Sequence, residues 1–140
     1  MRILLAIDDS KFSEAVVQAV IAQFRHQGTE LEVLNVVDLA IPIPTSYGEV
    51  FREESLKHGR EVVRGAEQKL NKAGFAVQTA VQEGDPKSTI LDRAAQWKAE
   101  LIVMGSHGRR GFDRFLMGSV AEGVVRHAPC SVEIVRTPKS

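Results

Sequence analysis

Short apolar runs alternate with amphipathic stretches along the whole of this 140-residue chain, and few architectures accept that alternation. The runs at 3–7, 31–37, 76–81, 101–104 and 132–135 are rich in Ile, Val and Leu and predict five strands. Between them, apolar residues recur at helical spacing. Phe12, Val16, Ala19, Val20 and Phe24 form one set, and Leu56, Val63, Ala66, Leu70 and Ala73 a second. Ile90, Leu91, Ala94, Ala95 and Trp97 form a third, and Phe115, Leu116, Val120 and Val124 a fourth. Strict alternation of strand and helix, with strands apolar nearly throughout, predicts an α/β fold: one open parallel sheet covered on both faces.

Local punctuation agrees. Gly28 and Gly74 fall where the first two helices should stop, and Asp85-Pro86 supplies a helix N-cap with proline at the first helical position. The tract at 38–48 is irregular, because Ile41-Pro42-Ile43-Pro44 forces an extended path; it predicts a long loop after the second strand. With 44% apolar residues the chain buries one core, so a single domain over 1–140 is expected, without linker, repeat or low-complexity segment.

Charge narrows the partners. Eighteen basic residues balance eighteen acidic ones, which leaves no global footprint for nucleic acid or an acidic membrane. Cys130 is alone and cannot form an intramolecular disulfide, so a reducing, cytoplasmic setting is expected. The apolar start at 1–7 is too short, and too soon followed by Asp8-Asp9, for a signal peptide or a membrane span.

In an open parallel sheet, ligands bind beyond the carboxyl ends of the strands, where the winding reverses. Asp8 ends the first strand, Asp38 the second, and Gly105 the fourth. There Gly105-Ser106-His107-Gly108 is followed by Gly118-Ser119, between the fourth strand and a helix expected over 115–127. Glycines without a Cβ let backbone N–H groups lie against an anion, and the Ser119 hydroxyl can donate to a phosphate oxygen. His107, Arg109, Arg110 and Arg114 outnumber Asp113 in the same loop, a local cation excess of the kind a polyphosphate needs. Neither the P-loop nor the G-x-G-x-x-G pattern is present, since the glycines run Gly105-x-x-Gly108-x-x-Gly111. On spacing alone, a nucleotide phosphate seat and a ligand-free glycine-rich turn both remain open.

Other chemistry is sparse. His26, His58, His107 and His127 lack metal-ligand spacing, so no zinc site is expected. Ser10 and Ser13 read as caps or first-turn residues of the first helix rather than nucleophiles. Asp8 and Asp9 admit two readings, a magnesium ion bridged to phosphate or a cap and a solvated helix-start acid. Trp97 reads as a packing residue, and no side chain is placed to activate water.

The motif Gly105-x2-Gly108-x9-Gly118-Ser119 resembles the ATP-binding signature of the universal stress protein family. The resemblance extends to Ile3-Leu4-Leu5-Ala6-Ile7-Asp8, to Asn35-Val36-Val37-Asp38, to Gly84-Asp85-Pro86 and to Ala128-Pro129-Cys130-Ser131-Val132. Glu133 departs from it, standing mid-strand where the family more often has an apolar residue. The resemblance implies a five-stranded parallel sheet ordered 3-2-1-4-5 with four flanking helices. It implies that Ala6 and Val36 line an adenine pocket through their backbones and that Asp8 stands near the nucleoside. Gly105, Ser106, His107, Gly108, Arg109, Arg110 and Gly111 would wrap ribose and phosphates. Gly118, Ser119, Val120 and Ala121 would complete the phosphate seat at the start of the fourth helix. The implied ligand is ATP, with AMP or cyclic AMP sharing its adenosine end, and magnesium accompanies ATP. The implied role is a stress-response sensor or regulator that acts on a protein partner. A slow magnesium-dependent ATPase or autophosphorylating enzyme is one alternative, and a nucleotide-free dimeric scaffold is the other. A homodimer through the strand at 131–136 is expected as well.

Overall fold

The computed structural model of the protein describes residues 1–39, 45–107 and 117–137. In chain order the elements are β1 (Arg2–Ala6), α1 (Lys11–Gln23), β2 (Glu30–Val37), α2 (Thr45–Lys72) and β3 (Ala76–Glu83), followed by α3 (Pro86–Trp97), β4 (Leu101–Gly105), α4 (Ser119–His127) and β5 (Ser131–Val135). All strand pairs are parallel, in the order β3-β2-β1-β4-β5. This is the α/β fold expected, with the expected strand order.

Strand alternation divides the core into two layers. Ile3, Leu5, Val33 and Val103 turn toward α1 and α2, where they meet Val16, Val20, Val63 and Leu70. Leu4, Leu34 and Ile102 turn the other way, onto Ile90 and Ala94 of α3 and Val124 of α4. Because both faces of β1 are covered, its residues Ile3, Leu4 and Leu5 are all fully buried. The chain winds from β1 outward to β3 on one side, then returns to build β4 and β5 on the other. The winding therefore reverses between β1 and β4.

Helix boundaries follow local chemistry. Asp85 caps α3, its carboxylate accepting from the backbone N–H of Ser88 at 3.0 Å, with Pro86 in the first turn. Gly74 takes the left-handed conformation, φ +98, that ends α2 and turns the chain into β3.

Three boundaries differ from the sequence reading. α2 starts at Thr45, so Tyr47 and Gly48 are helical where a loop to residue 48 was expected. Proline restricts the residue before it, not the one after, so a helix can begin directly past Pro44; residues 40–44 lie outside the described residues. α1 ends at Gln23, short of Gly28, because Phe24 is already extended. α4 begins at Ser119, since Gly118 is an extended N-cap; Phe115 and Leu116 of the expected helix lie outside the described residues.

Candidate functional site

The carboxyl ends of β1 and β4 lie side by side, with Ala6 opposite Met104. Beyond Ala6 the chain stays tied to β2: Ile7 donates its N–H to Leu34 O at 3.0 Å, and Asn35 Nδ2 donates to Ile7 O at 2.9 Å. Asn35 is buried, and Gly59 of α2 lies so close that a Cβ there would sit 2.7 Å from the Asn35 amide oxygen.

Asp8 closes the turn into α1. Its Oδ1 accepts from the Ser10 N–H at 2.8 Å and from the Ser13 hydroxyl at 3.1 Å, and its own N–H donates to Ser13 Oγ at 2.7 Å. One carboxylate oxygen of Asp8 is thus committed to the turn. Asp9 meets His58 Nε2 of α2 at 2.9 Å, so it is more than a solvated acid.

The other wall starts at Gly105. A Cβ there would lie 2.6 Å from Phe12 Cβ, so the end of β4 can press on α1 only because residue 105 is glycine. Ser106 donates its N–H to Val135 O at 2.9 Å, and its carbonyl accepts from the Gly118 N–H at 2.8 Å. That second bond draws the N-terminus of α4 against the exit of β4. Gly118 has no side chain to cap the helix. The first-turn N–H groups of Ser119, Val120 and Ala121 consequently point outward without helical partners, and the helix dipole adds positive potential there.

Two buried side-chain polar atoms, Ser10 Oγ and His107 Nε2, have no hydrogen-bond partner among the described residues. Both belong to this end of the sheet. His107 leans on Phe12, with ring centroids 5.5 Å apart, and its Nδ1 lies 3.1 Å from Ser106 Oγ. Buried polar atoms are nearly always paired, so each of the two is a polar group that the described residues leave unsatisfied.

The fold therefore gathers Ala6, Asp8, Gly105, Ser106, His107, Gly118, Ser119, Val120 and Ala121 around the β1/β4 crevice. Val36 stands two residues beyond the position opposite Ala6 on β2, and Ala6, Val36, Met117 and Val120 are half-buried on the α3/α4 side. Gly108, Arg109, Arg110, Gly111 and Arg114 lie outside the described residues. Sequence reasoning passed over Asn35, Phe12 and Met117. A lone amide inside the apolar run Leu34-Asn35-Val36 was the available signal for Asn35; Phe12 and Met117 take their places only through tertiary contacts. Among the described residues no group of three His, Cys, Asp or Glu side chains could hold a metal ion. Among the described residues the crevice presents donors and apolar surface, with one close hydroxyl–imidazole pair, Ser106 Oγ and His107 Nδ1.

The profile described as the universal stress protein family matches residues 1–136. A curated universal stress protein homologue from Staphylococcus aureus strain USA300 is 34% identical over 138 residues, covering 96% of this chain and 83% of the relative. The solved structure of universal stress protein UspA from Lactobacillus plantarum superposes with a TM-score of 0.84 at 27% identity, covering 97% of each chain. Three further solved structures share the fold. An Arabidopsis thaliana family protein with AMP bound has a TM-score of 0.76 at 17% identity, covering 99% of this chain and 92% of that one. An Archaeoglobus fulgidus universal stress protein in complex with dAMP has 0.73 at 24%, covering 96% and 97%. A universal stress protein in complex with cAMP has 0.72 at 23%, covering 99% and 98%.

Proposed function

The chain belongs to the universal stress protein family, and on that premise we propose that it is a nucleotide-dependent stress-response regulator that binds ATP in the β1/β4 crevice. The observation that carries this reading is the side-chain-free N-terminus of α4, drawn against the exit of β4 by the bond from the Gly118 N–H to Ser106 O, with the unpartnered His107 ring next to it. A phosphate accepts from free first-turn N–H groups and from a hydroxyl, and the helix dipole favours its charge. The AMP, dAMP and cAMP of the fold relatives support an adenine nucleotide. Arg109, Arg110 and Arg114 in the sequence support the longer phosphate chain of ATP.

In this reading Ala6 and Val36 offer backbone groups to the base, and residues 105–111 wrap the ribose and phosphates. Gly118, Ser119, Val120 and Ala121 hold the terminal charge. Magnesium arrives with ATP, bound chiefly by phosphates and water, because one oxygen of Asp8 already serves the β1–α1 turn. The protein acts in the cytoplasm through a protein partner, and it pairs as a homodimer through β5, an edge strand whose five residues are apolar apart from Ser131 and Glu133. No described helix is long and apolar enough to cross a membrane.

Thermal melting tests the proposal. At a free ATP concentration a hundredfold above Kd, linkage adds about 2.7 kcal/mol, a rise of several degrees for a domain of this size. Mass spectrometry of the denatured protein first establishes whether nucleotide copurifies. An unchanged melt with millimolar ATP and magnesium, after removal of any such nucleotide, would overturn the assignment.

A further inference from the structure

Among the described residues β3 pairs only with β2, which leaves its outer edge open. Gly84 donates its N–H to Val37 O, and Val37 lies opposite Glu83 in the register. By strand alternation, Val77, Thr79, Val81 and Glu83 turn their N–H and C=O groups to the open edge. Natural sheet edges are ordinarily guarded by Lys, Pro or a bulge. β3 has neither residue in its eight positions and runs in unbroken register with β2 from Ala76 to Glu83.

α2 lays a row of arginines along this edge. Arg52, Arg60 and Arg64 are spaced to share one helix face, and with Leu56, Val63 and Val81 they line a groove of about 720 Å³. Arg52 is paired with Glu83. Arg60 and Arg64 are exposed, and among the described residues neither makes an ion pair or hydrogen bond. The groove's second carboxylate, Glu67, pairs with neither of them. A strip of unpaired strand backbone, an apolar floor and two uncommitted guanidinium groups therefore run side by side.

We propose that this groove docks an extended acidic segment of a partner protein, which adds a sixth strand beside β3 and sets its carboxylates against Arg60 and Arg64. Main-chain bonds to the edge supply affinity, and the arginine row supplies the preference for acidic side chains. A second copy of this chain fits less well, because two-fold pairing of β3 with itself brings the two arginine rows together on one face of the joined sheet. The inference stands apart from the nucleotide site, which lies where β1 and β4 end.

The test uses the full chain and a fluorescent peptide in which valine and glutamate alternate, with a lysine-for-glutamate peptide as control. Anisotropy should report binding of the acidic peptide alone, and R60E/R64E should weaken it by about tenfold or more. Amide exchange followed by NMR should slow at Val77, Thr79, Val81 and Glu83 when the peptide binds. The milder R60Q/R64Q pair should fall between wild type and R60E/R64E. No binding of the acidic peptide, equal affinity in R60E/R64E, or binding without protection of those four amides would overturn the proposal. Competition by single-stranded DNA as effective as unlabelled peptide would also overturn it, marking a general anion patch.

Discussion

Arg93 of α3 grips Glu32 of β2 with both edges of its guanidinium: Nε lies 2.6 Å from Oε2, and Nη2 bonds Oε1. Gln78 of β3 adds a third bond to the same carboxylate at 2.7 Å. Glu32 is only 1% exposed, so its charge is fully withdrawn from water and rests on these partners. The hydrogen bonds that Arg93 donates to Glu32 hold its guanidinium above its usual pKa.

Removing one partner should therefore cost more than removing both. Arg93→Met leaves a buried, uncompensated carboxylate and should destabilise the fold by about 3–5 kcal/mol in urea unfolding. Glu32→Leu combined with Arg93→Met should recover most of that loss. A single variant that costs less than the double variant would show that the carboxylate finds water or another donor.

The Asp85 cap gives a pH signature. The Ser88 backbone N–H holds the Asp85 carboxyl below its usual range. A depressed carboxylate stabilises the fold above its unfolded pKa, and that contribution is lost as pH falls through the folded value. Asp85→Ala should cost about 1 kcal/mol near neutral pH. The gap between variant and wild type should close as pH drops below about 4. A gap independent of pH would mean that the cap bond does not depend on charge.

At the crevice proposed to bind ATP, Ser119→Ala should reduce ATP affinity roughly ten- to over a hundredfold, the 1.5–3 kcal/mol typical of a hydrogen bond to a charged oxygen. Gly118→Val should be harsher, because its Cβ meets Ser106 O at 3.3 Å and His107 Cα at 3.4 Å, and branching needs still more room. Titration calorimetry on the folded variants reads both effects. Unchanged affinity in either would move the phosphates elsewhere.

The proposed β5 dimer is tested at Ile134. Val135 O faces β4, accepting from Ser106, so the Ile134 N–H turns to the open edge. Ile134→Pro removes that donor while sparing the internal ladder, and it should shift sedimentation from dimer to monomer at tens of micromolar. Glu133 accepts from Gln23 Nε2 of α1 at 3.2 Å, a bond within the chain. A proline variant that dimerises like wild type would rule out this interface.

The strands and helices were legible because their signals are local. An apolar run such as Leu31 to Leu34 can satisfy its side chains only inside a covered sheet, and Val63, Ala66 and Leu70 repeat with the helical period. Strand order came from family resemblance, since periodicity says nothing about which strand pairs with which. The crevice was legible where a missing side chain marks it, at Gly105 and Gly118. It was illegible at Phe12, whose part depends on a contact between α1 and the end of β4, whereas Asp8 was legible as a site or cap acid and only its particular bonds to Ser10 and Ser13 required the turn. Buried Glu32 was equally hidden, because its partners Gln78 and Arg93 lie far along the chain.

α2 outreaches the sheet it covers. At about 1.5 Å per residue its 28 residues run well past β3, whose eight residues extend about 3.3 Å each. Its buried positions, Gly59, Val63, Ala66 and Leu70, all belong to the later half, while Tyr47, Val50 and Phe51 stand exposed on the first turns. Apart from the Arg52–Glu83 ion pair, those turns add nothing buried to the core and are the part of α2 expected to fray first. Limited digestion with chymotrypsin should therefore nick the native protein first after Tyr47 or Phe51, and the nicked chain should keep its sheet and melt cooperatively. The overhang is a severable spur on a body that does not need it to stay folded.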